Sequence, residues 1–328
     1  MSNNLREASP TPLINGACCN VSAVTKRTAV NTPSPFAIFN ACVNDLTGKD
    51  KLAKVVQYTI RLLNDIYTVC VDVKREGRLV DVLAYLTKRL ALLLQGLNAY
   101  RHMLRAGTMP FRLWKLLCHL RYSLRVLLDK SKANSTAMRV EKVVQYWTRR
   151  EMFSEFINLW YAFSDEILLL FRFKLLLREK EGGWKMSEKL FYWAEDHELY
   201  AWMAIILNGL YNDWKKLAIL KEKEASIILN QRVRARTVKI VNGLHGKGQV
   251  QLPIQVDRGD EVSQLAEVRH EMRTIYINSV RLGCDFLFDG KYVFRWDMYK
   301  PLHTSLGFIS GILGVVNTWR SQREKLKE

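Results

Sequence analysis

Six cysteines and two pairs of adjacent acids are the side chains in this sequence that suggest catalysis or metal binding. The cysteines occupy positions 18, 19, 42, 70, 118 and 284, and none forms a C-x-x-C pair. Neither a zinc site nor a thioredoxin-like motif is therefore indicated. Asp165-Glu166 and Glu195-Asp196 are neighbours in sequence, so on a helix their carboxylates point in different directions. We expect no catalytic site, no metal and no cofactor, and we interpret the protein as a non-enzyme.

The charge of the chain indicates a different chemistry, the binding of an anionic partner. Fifty Lys and Arg residues against 32 Asp and Glu residues give a formal net charge of +18. Residues 49–132 contain 17 basic and 6 acidic residues, so this part carries most of the excess. Such a balance predicts binding to nucleic acid or to a surface of lipid headgroups. Composition alone does not choose between these two partners.

Two helices within the basic part are predicted to present that charge beside an apolar stripe. Apolar residues recur at spacings of three and four over 50–72 and over 112–128, with basic residues beside each stripe. Such helices can lie in a membrane interface, with Lys and Arg reaching the headgroups. Packing in an ordinary bundle, with a solvated basic face, is the alternative. The predicted membrane-binding residues are Lys51, Lys54, Arg61, Arg112, Lys115, Leu116, Leu120, Arg121 and Arg125.

One long stretch without charge, Pro301–Trp319, is predicted to enter the membrane. It has 19 residues, close to the roughly 20 that a helix needs to cross a bilayer. Small residues recur on one face, which lets two helices approach closely, either within the chain or between two copies. The alternative is a buried helix of a soluble protein, although three glycines weaken a helix in water. The predicted helix-packing residues are Gly307, Ser310, Gly311 and Gly314.

The remaining sequence predicts an all-α protein, a membrane-associated bundle of long amphipathic helices. Residues 1–45 contain four prolines among Ser, Thr and Asn, which is typical of a disordered tail. A basic helical region is predicted over 46–230 and a flexible loop, with a short hairpin as a variant, over 231–262. The last region, 263–328, combines an amphipathic helix with the uncharged stretch and forms the C-terminal hydrophobic helix.

Five short motifs occur in order between residues 46 and 321. They are Gly48-Lys-Asp-Lys-Leu52 with Gln57-Tyr58, the stretch Arg101–Gly107, the aromatic and acidic segment 156–170, Cys284-Asp285, and the glycine-rich segment 306–319. Together they resemble the motifs of the peroxin-11 family. The residues of Gly48–Lys54 and of Tyr100–Arg112 are similar to those of the fungal peroxin-25 and peroxin-27 branch. Lys49 departs from the family pattern, in which Arg is commoner at this position.

This resemblance implies a peroxisomal membrane protein, mostly facing the cytosol, that remodels and elongates the membrane and so promotes peroxisome proliferation and division. It implies anionic peroxisomal lipids as partners, together with homo-oligomers or hetero-oligomers of related peroxins. Fission machinery or a small GTPase is a further expected partner, and nucleic acid is not. The alternative function is a basic helical scaffold that recruits a GTPase or nucleic acid.

Overall fold

The computed structural model describes residues 33–72, 78–128, 136–244 and 258–327. These ranges contain nine α-helices, one short 3-10 turn at Glu179–Glu181 and no strand, which confirms the predicted all-α class. The helices are α1 (Pro35–Asn44), α2 (Leu46–Asp72), α3 (Arg78–Arg105), α4 (Thr108–Leu128), α5 (Thr136–Trp147), α6 (Arg150–Arg172), α7 (Lys185–Leu244), α8 (Arg258–Val293) and α9 (Lys300–Lys325).

Local sequence signals set several of the helix ends. The hydroxyl of Ser34 accepts a hydrogen bond from the backbone N–H of Ala37, and Pro35 begins α1, a residue whose fixed φ suits the first helical position. Gly107 has a φ of 76° and lies between α3 and α4. Because side chains disfavour this left-handed conformation, a glycine there allows the chain to leave one helix and enter the next.

Six of the helices pack into a closed ring. Helix α2 packs against α3 and α9, α9 against α8, α8 against α7, and α7 against α6. Contacts between α6 and α3 complete the ring. Helix α1 lies on α2 and α9, while α4 and α5 lie outside the ring beside α6. The helices that carry the predicted site residues therefore differ in position, since α2 and α9 belong to the ring and α4 is peripheral.

The structure corrects two of the predicted irregular segments. Helix α7 continues through residues 231–244, and α8 begins at Arg258, so most of the predicted 231–262 loop is helical and residues 245–257 lie outside the described ranges. The predicted disordered tail is likewise helical over Pro35–Asn44, and residues 1–32 lie outside the described ranges. Residues 238–241, which include two valines and an isoleucine, remain helical because α8 supports α7. Arg234 of α7 lies 2.7 Å from Glu261 of α8 and forms an ion pair with it.

For the predicted membrane segment 301–319, the sequence left open whether the chain spans the bilayer or only lies on it. Across the described ranges, no helix is both long enough and apolar enough to cross a bilayer. Residues 301–319 belong to α9, and several polar side chains of this helix have partners within the chain. The hydroxyl of Thr304 donates to the Asp65 carboxylate at 2.5 Å, and that of Ser310 donates to Asp285 at 2.5 Å. These contacts place α9 against α2 and α8.

Candidate membrane-binding surface and its polar support

The small residues of α9 form the face on which α2 packs. Gly307, Ser310, Gly311 and Gly314 are all buried. A Cβ atom built on Gly307 would lie 2.3 Å from the Tyr58 ring, and one on Gly311 would lie 3.2 Å from a methyl group of Val55. Only glycine, or a residue with a small side chain, lets the two helices approach this closely. The sequence left open whether this face packs within the chain or against a second copy. In the structure it packs against α2 of the same chain.

Lys54, one of the predicted membrane-binding residues, lies buried beneath α9. Its Nζ donates to Asp285 on α8 and to the Ser310 hydroxyl, both at 2.9 Å. The side chain of Asp285 is only 4 % exposed, so both charges are withdrawn from water. A buried ion pair of this kind depends on good geometry and on further hydrogen bonds to offset the lost hydration. Lys54 is therefore not available to a lipid headgroup in this structure.

Helix α2 buries part of the polar face that its sequence pattern suggests. Lys54 and Gln57, which belong to its polar face, are buried, whereas Val56 and Ile66 of its apolar stripe are exposed. The hydrogen bonds that Lys54 and Gln57 make with α3, α8 and α9 explain this orientation. The exposed surface of α2 thus mixes apolar side chains with the polar Thr59, Asn64 and Thr68, and none of the basic residues of α2 is fully exposed.

The other two predicted basic residues of α2 also have partners within the chain. Lys51 lies 3.4 Å from the Asp50 carboxylate, and its aliphatic part packs on Gly314 of α9. Burial lowers the pKa of Lys51, because removal from water disfavours the charged ammonium. Arg61 stacks over the ring of Tyr58, with its guanidinium carbon 5.1 Å from the ring centre.

Further charges between α2, α3 and α6 give the ring a polar interior. Arg101 of α3 donates to Asp50 at 2.9 Å and to Gln57 at 2.8 Å. The next residue of α3, His102, lies 3.1 Å from the buried carboxylate of Asp165 on α6. Burial lowers the pKa of His102, which favours the neutral imidazole. These contacts hold α3 between α2 and α6. They thereby determine which face of α6 remains free to pack against α4.

Asp289 on α8 is the acid of this interior whose ionisation is most strongly altered. Burial, together with the nearby charge of Asp285, raises the pKa of Asp289 to about 7. A hydrogen bond from Trp202 opposes the shift without cancelling it. Near neutral pH, the folded protein therefore holds a proton on this carboxyl that the unfolded chain releases.

Replacing Asp289 with Asn should flatten the pH dependence of stability. Between about pH 4 and pH 7 the folded state binds more protons than the unfolded state, so the wild-type free energy of unfolding falls as pH rises. The contribution of one such group is at most about 1.4 kcal/mol per pH unit. Urea unfolding at pH 5, 6, 7 and 8 measures the slope for both proteins. Equal slopes would show that Asp289 ionises normally in the folded protein.

Helix α4 is held to the bundle by its inner face. The backbone N–H of Met109 donates to Glu166 of α6 at 2.8 Å, and Lys115 lies 2.5 Å from Glu155. Further along, the indole N–H of Trp147 on α5 donates to the buried Ser123 hydroxyl at 2.7 Å. Polar contacts at both ends thus fix the rotation of α4 about its axis.

The outer face of α4 is apolar and exposed. Its leucines at 113, 117, 120, 124 and 127 follow spacings of four and three, and each is between 38 % and 49 % exposed. Arg121 and Arg125 are exposed beside this stripe, and neither has an ion-pair partner among the described residues. Four basic residues and no acid occur between Thr108 and Leu128. Of the surfaces in the described ranges, this one combines an exposed apolar stripe with uncompensated positive charge.

The predicted α4 residues divide between the two faces. Leu120, Arg121 and Arg125 lie outward, and Lys115 is exposed although it is paired with Glu155. Arg112 and Leu116 are half-buried on the side that faces the bundle. The prediction omitted Phe111 and Trp114, whose side chains are 78 % and 69 % exposed. Neither residue falls in the series of leucines spaced by four and three, so a search for periodicity alone did not select them.

Comparison with known proteins gives matches to two yeast proteins. The chain is 23 % identical over 341 residues to the peroxisomal membrane protein PEX25 of Saccharomyces cerevisiae, covering 89 % of this chain and 80 % of the relative. It is 21 % identical over 177 residues to the peroxisomal membrane protein PEX27 of the same yeast, covering 53 % of this chain and 43 % of that relative. No family model matches the chain, and no solved structure matches it.

These matches show first the class of protein to which the chain is similar, the peroxins of the peroxisomal membrane. Within that class, they confirm the resemblance to the peroxin-25 and peroxin-27 branch of the peroxin-11 family. The predicted localisation at the peroxisomal membrane is confirmed by the same relatives. A role in peroxisome biogenesis follows from them at this coarser level.

Proposed function

We propose that the protein remodels and elongates the peroxisomal membrane through α4, and so promotes peroxisome proliferation and division. The observation that supports this proposal is the exposed leucine stripe of α4, which lies beside Arg121 and Arg125 and has no acidic residue along its length. The chain faces the cytosol, and its lipid partners are the anionic lipids of the cytosolic leaflet. Related peroxins, including further copies of this chain, are proposed as protein partners, with fission machinery or a small GTPase recruited afterwards.

The mechanism follows from the shape and charge of this surface. The leucine stripe enters the boundary between headgroups and acyl chains, while Arg121 and Arg125 remain among the anionic headgroups. Inserted side chains expand one leaflet relative to the other, which favours curvature. The contacts of Met109 and Lys115 with α6 keep α4 attached to the ring, so the inserted helix and the bundle move as one body.

The test is a Leu120→Glu substitution, which should lower binding to anionic vesicles by at least about tenfold. A carboxylate on the inserted face opposes burial in the acyl boundary and repels anionic headgroups. Binding of the full-length protein is measured by flotation with vesicles that contain anionic lipid and with neutral vesicles. Elongated peroxisomes in cells should shorten or disappear with the same variant, as seen by fluorescence microscopy.

The matched control is Val262→Glu on α8, because Val262 is also an exposed apolar residue of a helix but lies far along the chain from α4. It should bind vesicles like the wild type. Leu120 is a better test position than Leu116, since Leu116 faces the bundle and its replacement would also disturb folding. Equal vesicle binding by Leu120→Glu and wild type would exclude α4 as the lipid surface. Release of the wild-type protein from the organelle membrane fraction by high salt alone would instead favour the scaffold that binds nucleic acid.

A further inference from the structure

Helices α4 and α5 enclose a cavity of about 370 Å³ that the proposed membrane surface does not use. Tyr122 and Val126 of α4 form one wall, and Lys142, Val143 and Tyr146 of α5 form the other. Pockets that hold small molecules usually measure about 300–1,000 Å³. The cavity is therefore large enough for a small ligand and too small for a folded partner.

The polar side chains around the cavity carry positive charge. Arg139, Lys142 and Arg149 line it, and none of the described residues that line it is acidic. Within the described ranges, neither Lys142 nor Arg149 forms an ion pair. Glu141, the acid of α5, accepts a hydrogen bond from the Gln145 amide at 3.1 Å and does not line the cavity. A cavity with this lining favours an anion, and Arg and Lys are the side chains that bind phosphate groups best.

Several contacts hold the lining side chains in place. Arg139 donates to the Leu127 carbonyl of α4 at 3.1 Å. The Arg149 guanidinium carbon lies 5.8 Å from the centre of the Tyr146 ring, and that ring lies 5.1 Å from the Tyr122 ring. Groups that are already positioned lose less conformational freedom when a ligand binds. The site is thus largely formed before any ligand enters.

The cavity lies on the side of α4 that is turned away from its exposed leucines. Successive residues of an α-helix are rotated by about 100°, so residues two positions apart are rotated by about 200°. Tyr122 is two positions from both Leu120 and Leu124, and Val126 is two positions from Leu124. When the leucines enter the bilayer, the cavity therefore faces the cytosol. This placement of the cavity rests on the proposed function.

We propose that the cavity between α4 and α5 binds a small soluble molecule that carries two or more phosphate groups, such as an inositol phosphate. Lys142 and Arg149 donate to its phosphate oxygens, and the Arg149 guanidinium can donate two parallel hydrogen bonds. These two residues are seven positions apart, or about 10 Å along the chain direction of a helix, so a single phosphate does not reach both. The Tyr122 and Tyr146 rings pack against the carbon frame that joins the phosphates.

The test is the double variant Lys142→Gln/Arg149→Gln of the full-length protein. It should bind inositol hexakisphosphate at least about tenfold more weakly than the wild type, because two charged donors are lost. Isothermal titration calorimetry at about 150 mM salt measures the affinity, since this salt screens general attraction to a basic chain. Both side chains are exposed, so the variant should fold, and circular dichroism checks that it does.

Arg121→Gln/Arg125→Gln is the matched control, because it removes the same charge from another exposed part of α4. This control should bind inositol hexakisphosphate like the wild type and should bind anionic vesicles more weakly. Lys142→Gln/Arg149→Gln should show the reverse. The Leu120→Glu variant should keep its affinity for inositol hexakisphosphate, which separates this inference from the proposed function.

Three results would overturn the proposal. The wild type could fail to bind inositol hexakisphosphate. The two double variants could lose the same affinity for it, which would show attraction to net charge without a site. Loss of vesicle binding by Lys142→Gln/Arg149→Gln would show that the cavity contacts lipid headgroups, which excludes a soluble ligand as its occupant.

Discussion

Replacing Asp285 with Ala should lower the free energy of unfolding by about 3–5 kcal/mol, the cost of leaving one charge of a buried pair without its partner. Lys54 would keep only the Ser310 hydroxyl as a neighbour at 2.9 Å, in a site with almost no access to water. The side chain of Asp285 also lies 3.4 Å from Arg281, so that contact is lost as well. Urea denaturation followed by circular dichroism measures the change.

Glu155→Ala is the matched control for this prediction, because it removes the acid from an ion pair at the surface. Lys115 and Glu155 are 2.5 Å apart, closer than Lys54 and Asp285, yet the Lys115 side chain is 55 % exposed. We expect this control to cost less than about 1 kcal/mol, because water replaces the lost partner. The double variant Lys54→Met/Asp285→Leu should recover much of the loss, since no charge remains buried. Similar costs for Asp285→Ala and Glu155→Ala would contradict the buried pair.

Replacing Gly307 with Ala should lower the free energy of unfolding by about 1–3 kcal/mol, and Gly307→Leu should lower it further. The new Cβ would lie 2.3 Å from the Tyr58 ring, so α9 or the ring must move. The ring has little freedom, because it is buried, meets Phe288 edge to face and lies beneath Arg61. Burial also raises the pKa of the Tyr58 hydroxyl to about 12.

Two other glycines of the chain provide a graded comparison. Gly311→Ala should cost less than Gly307→Ala, because its Cβ would come 3.2 Å from a methyl group of Val55, a contact that a small shift relieves. Gly96→Ala on α3 should raise stability by up to about 1 kcal/mol, since nothing lies within 4 Å and alanine favours the helix. Thermal unfolding of the three variants in parallel gives the order. A Gly307→Ala protein as stable as Gly96→Ala would mean that α9 does not pack on α2 as described.

Sequence periodicity predicted the helices of this fold well, because each helix repeats its apolar positions over several turns. The position of α4 at the surface could be predicted from the sequence for the same reason. The orientation of α2 was not, since Lys54 is paired with a residue 231 positions away and nothing near it in sequence indicates that partner. A lysine on a polar face ordinarily points to water, and only the assembled ring makes this one an interior residue.

Glycines and uncharged length misled the sequence analysis at α9 in a related way. The features that predicted a membrane helix, small residues at four-residue spacing and few charges, equally suit a helix that packs tightly within a protein. The difference lies in Thr304 and Ser310, whose hydroxyls bond to carboxylates on α2 and α8. Asp65 is 239 residues away from Thr304, so this contact could not be predicted from the local sequence.

The pairing of α2 with α9 also determines when this protein can finish folding. Lys54 and Ser310 are separated by 256 residues. A ribosome that adds about 5–20 residues per second needs roughly 13–50 seconds to cover that distance. During this interval the nascent chain displays an unpaired Lys54 and the glycine-facing side of α2, with no native partner yet synthesised. The ring therefore closes only after the ribosome has synthesised α9.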